Sequence, residues 1–307
     1  MKAEDTGIRA IKIADSVISN ALLVVIVIMA AFAFYALWDS NQVIKAAGKA
    51  NYEIYKPTIE NEGKTFAELK AVNPEVIAWL DVYGTNIDYP VTQGEENMKY
   101  VNTSAEGKYS LSGAIFLDSG NSSDFGDFNN ILYGHHMDKN VMFGELESFS
   151  RKEVFDDHLY GNLYYDGQDH GIEFFAFMHT DAYDSGVFTL AGEEESQAYI
   201  ENLLRGSKYK RDIGITAGDR IVLLATCSSD STNGRDILAG RITDEIFADK
   251  FKSPEASGQK IRTAETNGLV EKLSFLLLLL AVVLTILIMT PIIRGRRRKN
   301  IEEREAA

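Results

Sequence analysis

The only cysteine of this chain, Cys227, ends the apolar run Leu223-Leu224-Ala225-Thr226-Cys227. A free thiol is reactive and easily oxidised, so a chain that keeps a single one is expected to use it. A thiolate is a nucleophile that attacks carbonyl carbon, and this chemistry leads to acyl transfer. The alternative is a buried cysteine that packs as a small apolar side chain.

Two further segments carry the other groups that acyl transfer needs. The segment Leu132-Tyr133-Gly134-His135-His136-Met137 contains a pair of histidines, and Arg235 follows Cys227 by eight residues. An imidazole holds or donates the proton that a departing amine requires. A guanidinium stays charged and offers several donors, so Arg235 would neutralise the oxyanion of a tetrahedral intermediate or hydrogen-bond the substrate backbone.

The histidine pair also raises the question of a metal site. No third ligand stands near His135 and His136 at helical or loop spacing, whereas zinc sites use three or four protein ligands. The other histidines, His158, His170 and His179, occur in unrelated contexts and are predicted to be surface or packing residues. The sequence therefore predicts no metal site.

Short runs of β-branched and aromatic residues must position these groups. Such runs, separated by Gly, Asp and Asn, predict strands, and their number favours a barrel or a sandwich. Residues at the ends of adjoining strands can converge on one rim, which would bring Cys227, His135 and Arg235 together. The eight predicted strands are Val76–Val82, Ile87–Val91, Gly113–Leu117, Asn130–Tyr133, Leu163–Tyr165, Ile172–Met178, Arg220–Thr226 and Asp236–Ile242.

Helices are predicted before the first strand. The pattern of Val43–Lys56 is helical. Thr65 and Glu68 have the spacing of a capping box, which would open a short helix that ends at Asn73-Pro74. These elements would lead from the first apolar span to the strands.

A longer helix is predicted between the strands. Glu193–Glu195 would lie in its first turn and Arg205 in its last, with Gly206 just beyond. This arrangement agrees with the helix dipole and with the preference for glycine after a helix. The helix would be a crossover connection.

Two apolar spans enclose the region of predicted strands. Ala21–Trp38 provides eighteen uncharged positions, which as a helix cover about 27 Å, close to the thickness of a bilayer core. Leu273–Ile293 is the second span, and a basic cluster at residues 294–299 follows it. Because basic flanks stay in the cytoplasm, both termini are predicted to be cytoplasmic and the region between the spans extracellular. Ala31-Phe32-Ala33 would suit a signal protease, but the length of the span favours an uncleaved anchor.

The composition limits the partners. The chain carries 31 Lys and Arg against 45 Asp and Glu, a formal net charge of −14. An acidic surface repels polyanions, so nucleic acid is excluded as a partner. An exported domain with one cysteine cannot rely on disulfides, so it must bury an ordinary apolar core.

The segments Tyr133-Gly134-His135-His136 and Leu223–Cys227, followed by Arg235, form a specific combination. The second segment stands in the place of a Thr-Leu-x-Thr-Cys signature, and the combination resembles the sortase family of Gram-positive bacteria. Three upstream segments are similar to class B sortases in particular, and the similarity spans roughly Phe66 to Ile242. These segments are Asn73-Pro74-Glu75-Val76-Ile77-Ala78-Trp79-Leu80, Ile87-Asp88-Tyr89-Pro90-Val91 and Ile115-Phe116-Leu117-Asp118.

The resemblance implies a mainly β fold, an eight-stranded sortase-like β-barrel with N-terminal helices and a crossover helix, flanked by two transmembrane helices. It also implies a membrane-anchored cysteine transpeptidase. Such an enzyme cleaves a C-terminal sorting signal of an exported protein, holds the protein as a thioacyl intermediate and joins it to an amine. A peptidoglycan precursor or a pilin lysine would supply the amine, and catalysis would need no cofactor.

The resemblance also implies roles for individual residues. Cys227 would be the nucleophile, His135 the acid/base and Arg235 the oxyanion or substrate clamp, and Thr226 would contribute to substrate binding. Neighbouring side chains of an extended segment point to opposite faces, so only one of the two histidines can meet Cys227. The alignment of Gly134-His135 with the family selects His135 over His136.

Two features depart from the family pattern. Leu223 replaces the leading Thr of the signature, and the second membrane span is more typical of pilin-polymerising class C sortases. Class C enzymes carry an Asp-Pro-aromatic lid before the barrel, whereas this chain has Asp39-Ser40-Asn41 after the first span and no such motif. The prediction therefore stays with class B, and the biological substrate is left open.

These inferences predict a division of the chain into seven segments. Residues 1–16 would be a cytoplasmic tail, 17–38 a transmembrane anchor, 39–72 an N-terminal helical segment, 73–250 the catalytic barrel, 251–271 a linker, 272–293 a transmembrane helix and 294–307 a basic cytoplasmic tail.

Two other functions stay open at this point. The first is a membrane-tethered β-barrel that binds a ligand without catalysis, with Cys227 as a structural residue. A binding module has no need of His135, Cys227 and Arg235 at strand ends, which argues against it. The second is a cysteine peptidase, because hydrolysis shares the thioacyl step and differs only in the acceptor.

Overall fold

The computed structural model describes residues 2–58, 63–192, 194–227 and 233–252. The chain begins with the long helix α1 (Lys2–Ala47), whose apolar part is exposed. Within the described residues, one helix, Gly7–Ala47, is long and apolar enough to cross a membrane, and an N-terminal signal sequence would have the same character. The predicted second span at residues 272–293 lies outside the described residues.

Eight strands close into a barrel. Around the ring the order is β11-β10-β4-β3-β2-β1-β7-β8, and β8 pairs with β11 to close it. Closure removes the exposed strand edges that an open sheet would leave, so the barrel and not the sandwich is the correct prediction. The ring strands are β1 (Val76–Val82), β2 (Asp88–Thr92), β3 (Ile115–Leu117), β4 (Asn129–Tyr133), β7 (Tyr160–Tyr165), β8 (Gln168–Asp181), β10 (Arg220–Cys227) and β11 (Gly234–Thr243).

Each of the eight predicted strands is one of these ring strands. The described residues contain three further strands of two residues each, outside the ring. Of these, β5 (His136–Met137) and β6 (Val141–Met142) pair with each other, and β9 (Tyr209–Lys210) adds to β8. Two residues are too few to show an alternating pattern, so the sequence does not predict them.

Apolar side chains pack on both faces of the barrel wall. The barrel interior holds a cluster that includes Trp79, Leu132, Phe174, Phe177, Leu224 and Leu238, all buried. A second cluster lies on the outer face of β10, β11 and β8, where α5 (Ser196–Gly206) covers it with Tyr199 and Leu203. The strands that carry Cys227 and Arg235 are therefore packed from both sides.

The helices confirm part of the prediction and correct part of it. Val43–Lys56 is helical but broken, since α1 ends at Ala47 and two 3-10 turns, Lys49–Asn51 and Glu53–Tyr55, follow. The capping box is wrong. The next helix, α2 (Lys64–Val72), already includes Thr65, whose hydroxyl donates to the Lys56 carbonyl (3.1 Å) instead of capping the helix.

The predicted crossover helix exists as α5 and begins later than predicted. Glu195 precedes its first residue, Glu193 falls outside the described residues, and Gly206 is its last residue. The short helices α3 (Lys152–Asp157) and α4 (Ser185–Phe188) are additions that the sequence pattern does not predict. Asp184 caps α4 by accepting a hydrogen bond from the Gly186 amide. The start of this short helix is thus set by a polar contact and not by a periodic pattern of apolar residues.

A half-buried ion cluster fastens the segment after α1 to the barrel. The Lys56 ammonium lies 2.7 Å from both the Asp81 and the Asp88 carboxylates, and the Trp79 indole donates to Asp88 (2.7 Å). Burial works against the charge on Lys56, but the two carboxylates outweigh it and raise the pKa of Lys56. The cluster thus ties β1, β2 and the N-terminal segment together.

We expect Lys56→Met to destabilise the protein by about 3 kcal/mol, because two neighbouring carboxylates lose their shared cation. For a domain of this size that loss lowers the melting temperature by about 6 to 12 °C, which thermal unfolding followed by circular dichroism measures. Lys99→Met is the matched control, since the Lys99–Glu75 pair is more exposed and should be worth under about 1 kcal/mol. Equal losses in the two variants would contradict the structural role of Lys56.

Candidate active site

The register of three neighbouring strands brings the predicted chemical groups to one end of the barrel. Parallel strands β4 and β10 align Tyr133 with Ala225, so that His135 and Cys227 each follow two residues further along. On the other side of β10, antiparallel β11 places Arg235 directly opposite Cys227. Directly opposite residues of an antiparallel pair have Cβ atoms about 5 Å apart. The backbone therefore collects positions 135, 227 and 235 in one place.

Gly134, between β4 and His135, lies close to a buried ring. A Cβ at this position would lie 2.8 Å from the Phe143 ring, so only glycine fits. Its amide donates to the Ala225 carbonyl (3.2 Å), and its carbonyl accepts from the Thr226 hydroxyl (2.8 Å). Thr226 is 2% exposed. Thr226 thus holds β10 to the backbone just before His135, and the substrate contact expected of it stays a prediction.

The half-buried His135 has a fixed ring orientation. Its Nε2 donates to the Val101 carbonyl at 2.8 Å. A carbonyl oxygen only accepts hydrogen bonds, so Nε2 carries a hydrogen and Nδ1 is the nitrogen left for proton exchange. Val101 ends a 3-10 turn, Lys99–Val101. The sequence gives no signal for this partner, because a backbone carbonyl is common to every residue type.

His136 faces a different neighbour. Its Nε2 lies 3.5 Å from the Glu147 carboxylate in the 3-10 segment Gly144–Ser150. Its Nδ1 is buried and has no hydrogen-bond partner among the described residues. Glu145 of the same segment turns to another part of the chain and accepts from the Asn86 amide (2.7 Å). The two neighbouring histidines thus have separate surroundings, as alternation along an extended segment predicts.

Arg235 keeps its charge available. In the described part of the chain its guanidinium donates to the Gly234 carbonyl (2.9 Å) and forms no ion pair with a carboxylate. Arg235 lies near enough to Tyr133 for its charge to act on the tyrosine. Burial and the Asp118 carboxylate raise the pKa of Tyr133, and the positive charge of Arg235 lowers it in part. The Tyr133 hydroxyl donates to Asp118 (3.1 Å). Arg235 is therefore a half-buried cation that can bind an anion.

The remaining histidines make other contacts. His158 stacks on Phe251, His170 stacks on Tyr165, and His179 pairs with Asp236 on the barrel wall. Among the described residues, no group of three or more His, Cys, Asp or Glu side chains could hold a metal ion.

Comparison with known proteins agrees with this architecture. Sortase B of Staphylococcus aureus is 28% identical over 239 residues, which cover 73% of this chain and 95% of that protein. The solved structure of sortase B from the type II pilus of Streptococcus pneumoniae is 45% identical, with 59% of this chain and 99% of that chain covered and a TM-score of 0.52. A class B sortase of Streptococcus pyogenes involved in pilus biogenesis is 41% identical over the same shares, with a TM-score of 0.54. Among protein-family models, none matches the chain.

The closed eight-stranded barrel and these similarities define a cysteine transpeptidase. The chain belongs to the sortase family, and the relatives that it matches are class B sortases. A binding module without catalysis, one of the two alternatives from the sequence, is thereby excluded.

Proposed function

We propose that this enzyme cleaves a C-terminal sorting signal of exported proteins through a thioacyl intermediate on Cys227 and joins the proteins to a cell-wall or pilin amine. The observation that carries the proposal is the register of the three strands. It places Cys227 opposite Arg235 and in line with His135, whose ring is held by Val101.

In the first half-reaction, the Cys227 thiolate attacks the carbonyl carbon of the scissile peptide bond. The negative charge that develops on the carbonyl oxygen is matched by the Arg235 guanidinium, which has no carboxylate to neutralise it in the described residues. The carbon–nitrogen bond breaks, and His135 gives a proton to the departing amine. The exported protein is then held as a thioester.

In the second half-reaction, an acceptor amine attacks the thioester carbonyl. His135 takes the proton of the amine, and the carbon–sulfur bond breaks as the new amide forms. The thiolate and the protonated imidazole are restored, so the cycle consumes no water and needs no cofactor. Water in place of the amine would give hydrolysis, which is the remaining alternative from the sequence.

The N-terminal helix α1 suits a membrane anchor for this enzyme. Its exposed apolar stretch is followed within the same helix by Ile44 and Ala47, which pack on the barrel core. The barrel would thus lie close to the outer face of the cell membrane, with the N-terminus in the cytoplasm. This position brings the active site to proteins that leave the cell.

The test is mass spectrometry of the full chain in detergent micelles with peptides that carry Asn-Pro-x-Thr or Leu-Pro-x-Thr signals. We expect a thioacyl adduct on Cys227 and, when an amine is added, an amine-joined product. Cleavage without a joined product would support the peptidase alternative. If a folded, reduced enzyme left both signals uncleaved, the assignment of these sorting motifs would be wrong.

For this enzyme a pilin lysine is one candidate acceptor, and the names of two relatives point to pilus assembly. The solved structures of 45% and 41% identity are described as belonging to a type II pilus and to pilus biogenesis. If this enzyme polymerises pilins, a folded pilin domain with a surface lysine should outcompete a peptidoglycan cross-bridge peptide in the joining step. A preference for the cross-bridge peptide would assign the enzyme to wall anchoring.

We expect Arg235→Lys to lower the transpeptidation rate by about 10- to 100-fold. One ammonium cannot reproduce the forked donors of a guanidinium at an oxyanion or a substrate backbone. Initial rates with a fluorogenic sorting-signal peptide measure the effect. The control is Arg205→Lys in the last turn of α5, which keeps the same chemical change away from the strands. A near-normal rate for Arg235→Lys would remove Arg235 from the mechanism.

A further inference from the structure

Two rows of residues cross the strands β10, β11 and β8 at the end that carries the site. One row is Cys227, Arg235 and Thr180, and the next is Thr226, Asp236 and His179, each aligned by register. Alternation puts the rows on opposite faces of the barrel wall. Two positions further along the strands, the second row is followed by residues of the interior cluster, namely Leu224, Leu238 and Phe177. The first row is followed by residues of the outer cluster, namely Ala225, Ile237 and Met178. The second row is therefore the inner row.

The inner row is polar, although the residues two positions further along each of its strands are apolar. Asp236 is 5% exposed, and its carboxylate accepts a hydrogen bond from His179 Nδ1 (3.1 Å). A buried carboxylate costs free energy unless it is paired. An apolar residue would fill the position of Asp236 at a lower cost in free energy. The carboxylate next to Arg235, on the opposite face of β11, therefore indicates a role beyond packing.

Arg235 pairs through its backbone with Cys227 and Thr180, but among the described residues its side chain forms no hydrogen bond to another strand. It is the second residue of β11, which begins at Gly234, and strand ends are the parts of a sheet that open most easily. Its guanidinium donates to the carbonyl of its own neighbour Gly234, so this bond does not tie it to another strand. The residue that follows, Asp236, does make a side-chain bond to the next strand, through His179.

We propose that the Asp236–His179 pair is a positioning device for Arg235. The pair adds a side-chain hydrogen bond between the first residues of β11 and strand β8 on the inner face. Together with the backbone pairing, it holds Arg235 at its register opposite Cys227. Neither residue contacts substrate in this role, because both act through Arg235. The proposal rests on the proposed function, in which Arg235 stabilises the reacting carbonyl.

The test measures transpeptidation by the full chain with His179→Ala and Arg235→Ala, singly and combined. The side chain of His179 is 40% exposed, and thermal unfolding checks that its removal leaves the barrel folded. Asp236→Asn is the second variant, since it keeps a hydrogen-bonding oxygen without the buried charge. We expect His179→Ala to reduce the rate by about tenfold. The parameter that changes, kcat or KM, should be the one that Arg235→Ala changes. In the Arg235→Ala background, His179→Ala should have no further effect.

His170→Ala is the matched control. His170 lies on the same strand β8 and also pairs with an aspartate, Asp244 (3.3 Å), away from the site. Its removal should leave both kcat and KM within about twofold of the original values.

The outcomes separate the two proposals. If Arg235→Ala kept the full rate, the proposed role of Arg235 would fail, and the positioning role would fail with it. If Arg235→Ala lost the rate while His179→Ala and Asp236→Asn kept it, only the positioning role would be overturned. If the losses of His179→Ala and Arg235→Ala multiplied in the combined variant, the pair would act on the fold and not through Arg235.

Discussion

Replacing the proposed nucleophile, by Cys227→Ala, should abolish both cleavage of a sorting signal and joining to the amine. The expected loss in kcat is roughly 10⁴-fold or more, because covalent catalysis has no substitute for the attacking sulfur. In the proposed mechanism both half-reactions pass through the same thioester, so they should disappear together. Mass spectrometry should detect no adduct on residue 227 at any time point.

The control for this experiment is the stability of the variant. Thermal unfolding should give nearly the same melting temperature for Cys227→Ala and the original chain, since the substitution removes one sulfur at the end of β10. Cys227→Ser is a second variant that keeps a weaker nucleophile in the same place. Its turnover should stay far below that of the original enzyme. Turnover in a clean preparation of Cys227→Ala would show that another residue attacks the substrate.

The sequence was sufficient to predict the barrel strands because their apolar runs are strong local signals. Val76–Val82 is predicted to the residue, since six of its seven residues are apolar. The strand β8 extends well beyond its prediction, from Gln168 to Asp181. Its two ends carry polar residues such as Asp169 and Thr180, which the pairing with β7 and β11 keeps extended. Tertiary pairing thus overrides local preference at strand ends.

The helix starts were harder to predict, and the capping box at Thr65 shows why. The pattern of Thr65 and Glu68 is a local signal, but the Lys56 carbonyl competes for the Thr65 hydroxyl across a fold-level contact. Gly63 takes the position before the helix, in the left-handed region with φ of 71°. A carbonyl that approaches from a distant segment leaves no trace in the sequence of the helix itself.

The site shows the same limit. The types of His135, Cys227 and Arg235 are readable, and their strand ends predict that they converge. The Val101 carbonyl that orients His135 and the Asp236–His179 pair behind Arg235 could not be predicted. His179 in particular is predicted as an ordinary surface or packing residue, because no sequence spacing relates position 179 to position 236.

The choice between the two histidines leads to the second large effect. His135→Ala should lower kcat by about 10³-fold, since the departing amine loses its proton donor and the acceptor amine its base. His136→Ala should lower it by less than about threefold, because the His136 ring lies against Glu147 and takes no part in the proposed proton transfers. The two adjacent variants are each other's control, since they remove the same group from the same segment.

Chemical rescue gives this prediction a second measurement. Added imidazole should restore part of the activity of His135→Ala, because a small base can enter the space that the ring leaves beside the Val101 carbonyl. It should do nothing for Cys227→Ala, in which the nucleophile itself is missing. The reverse order, with His136→Ala more damaging than His135→Ala, would show that the segment presents the other histidine to Cys227. In that case the hydrogen bond from His135 Nε2 to Val101 would be a structural contact and not the support of a catalytic ring.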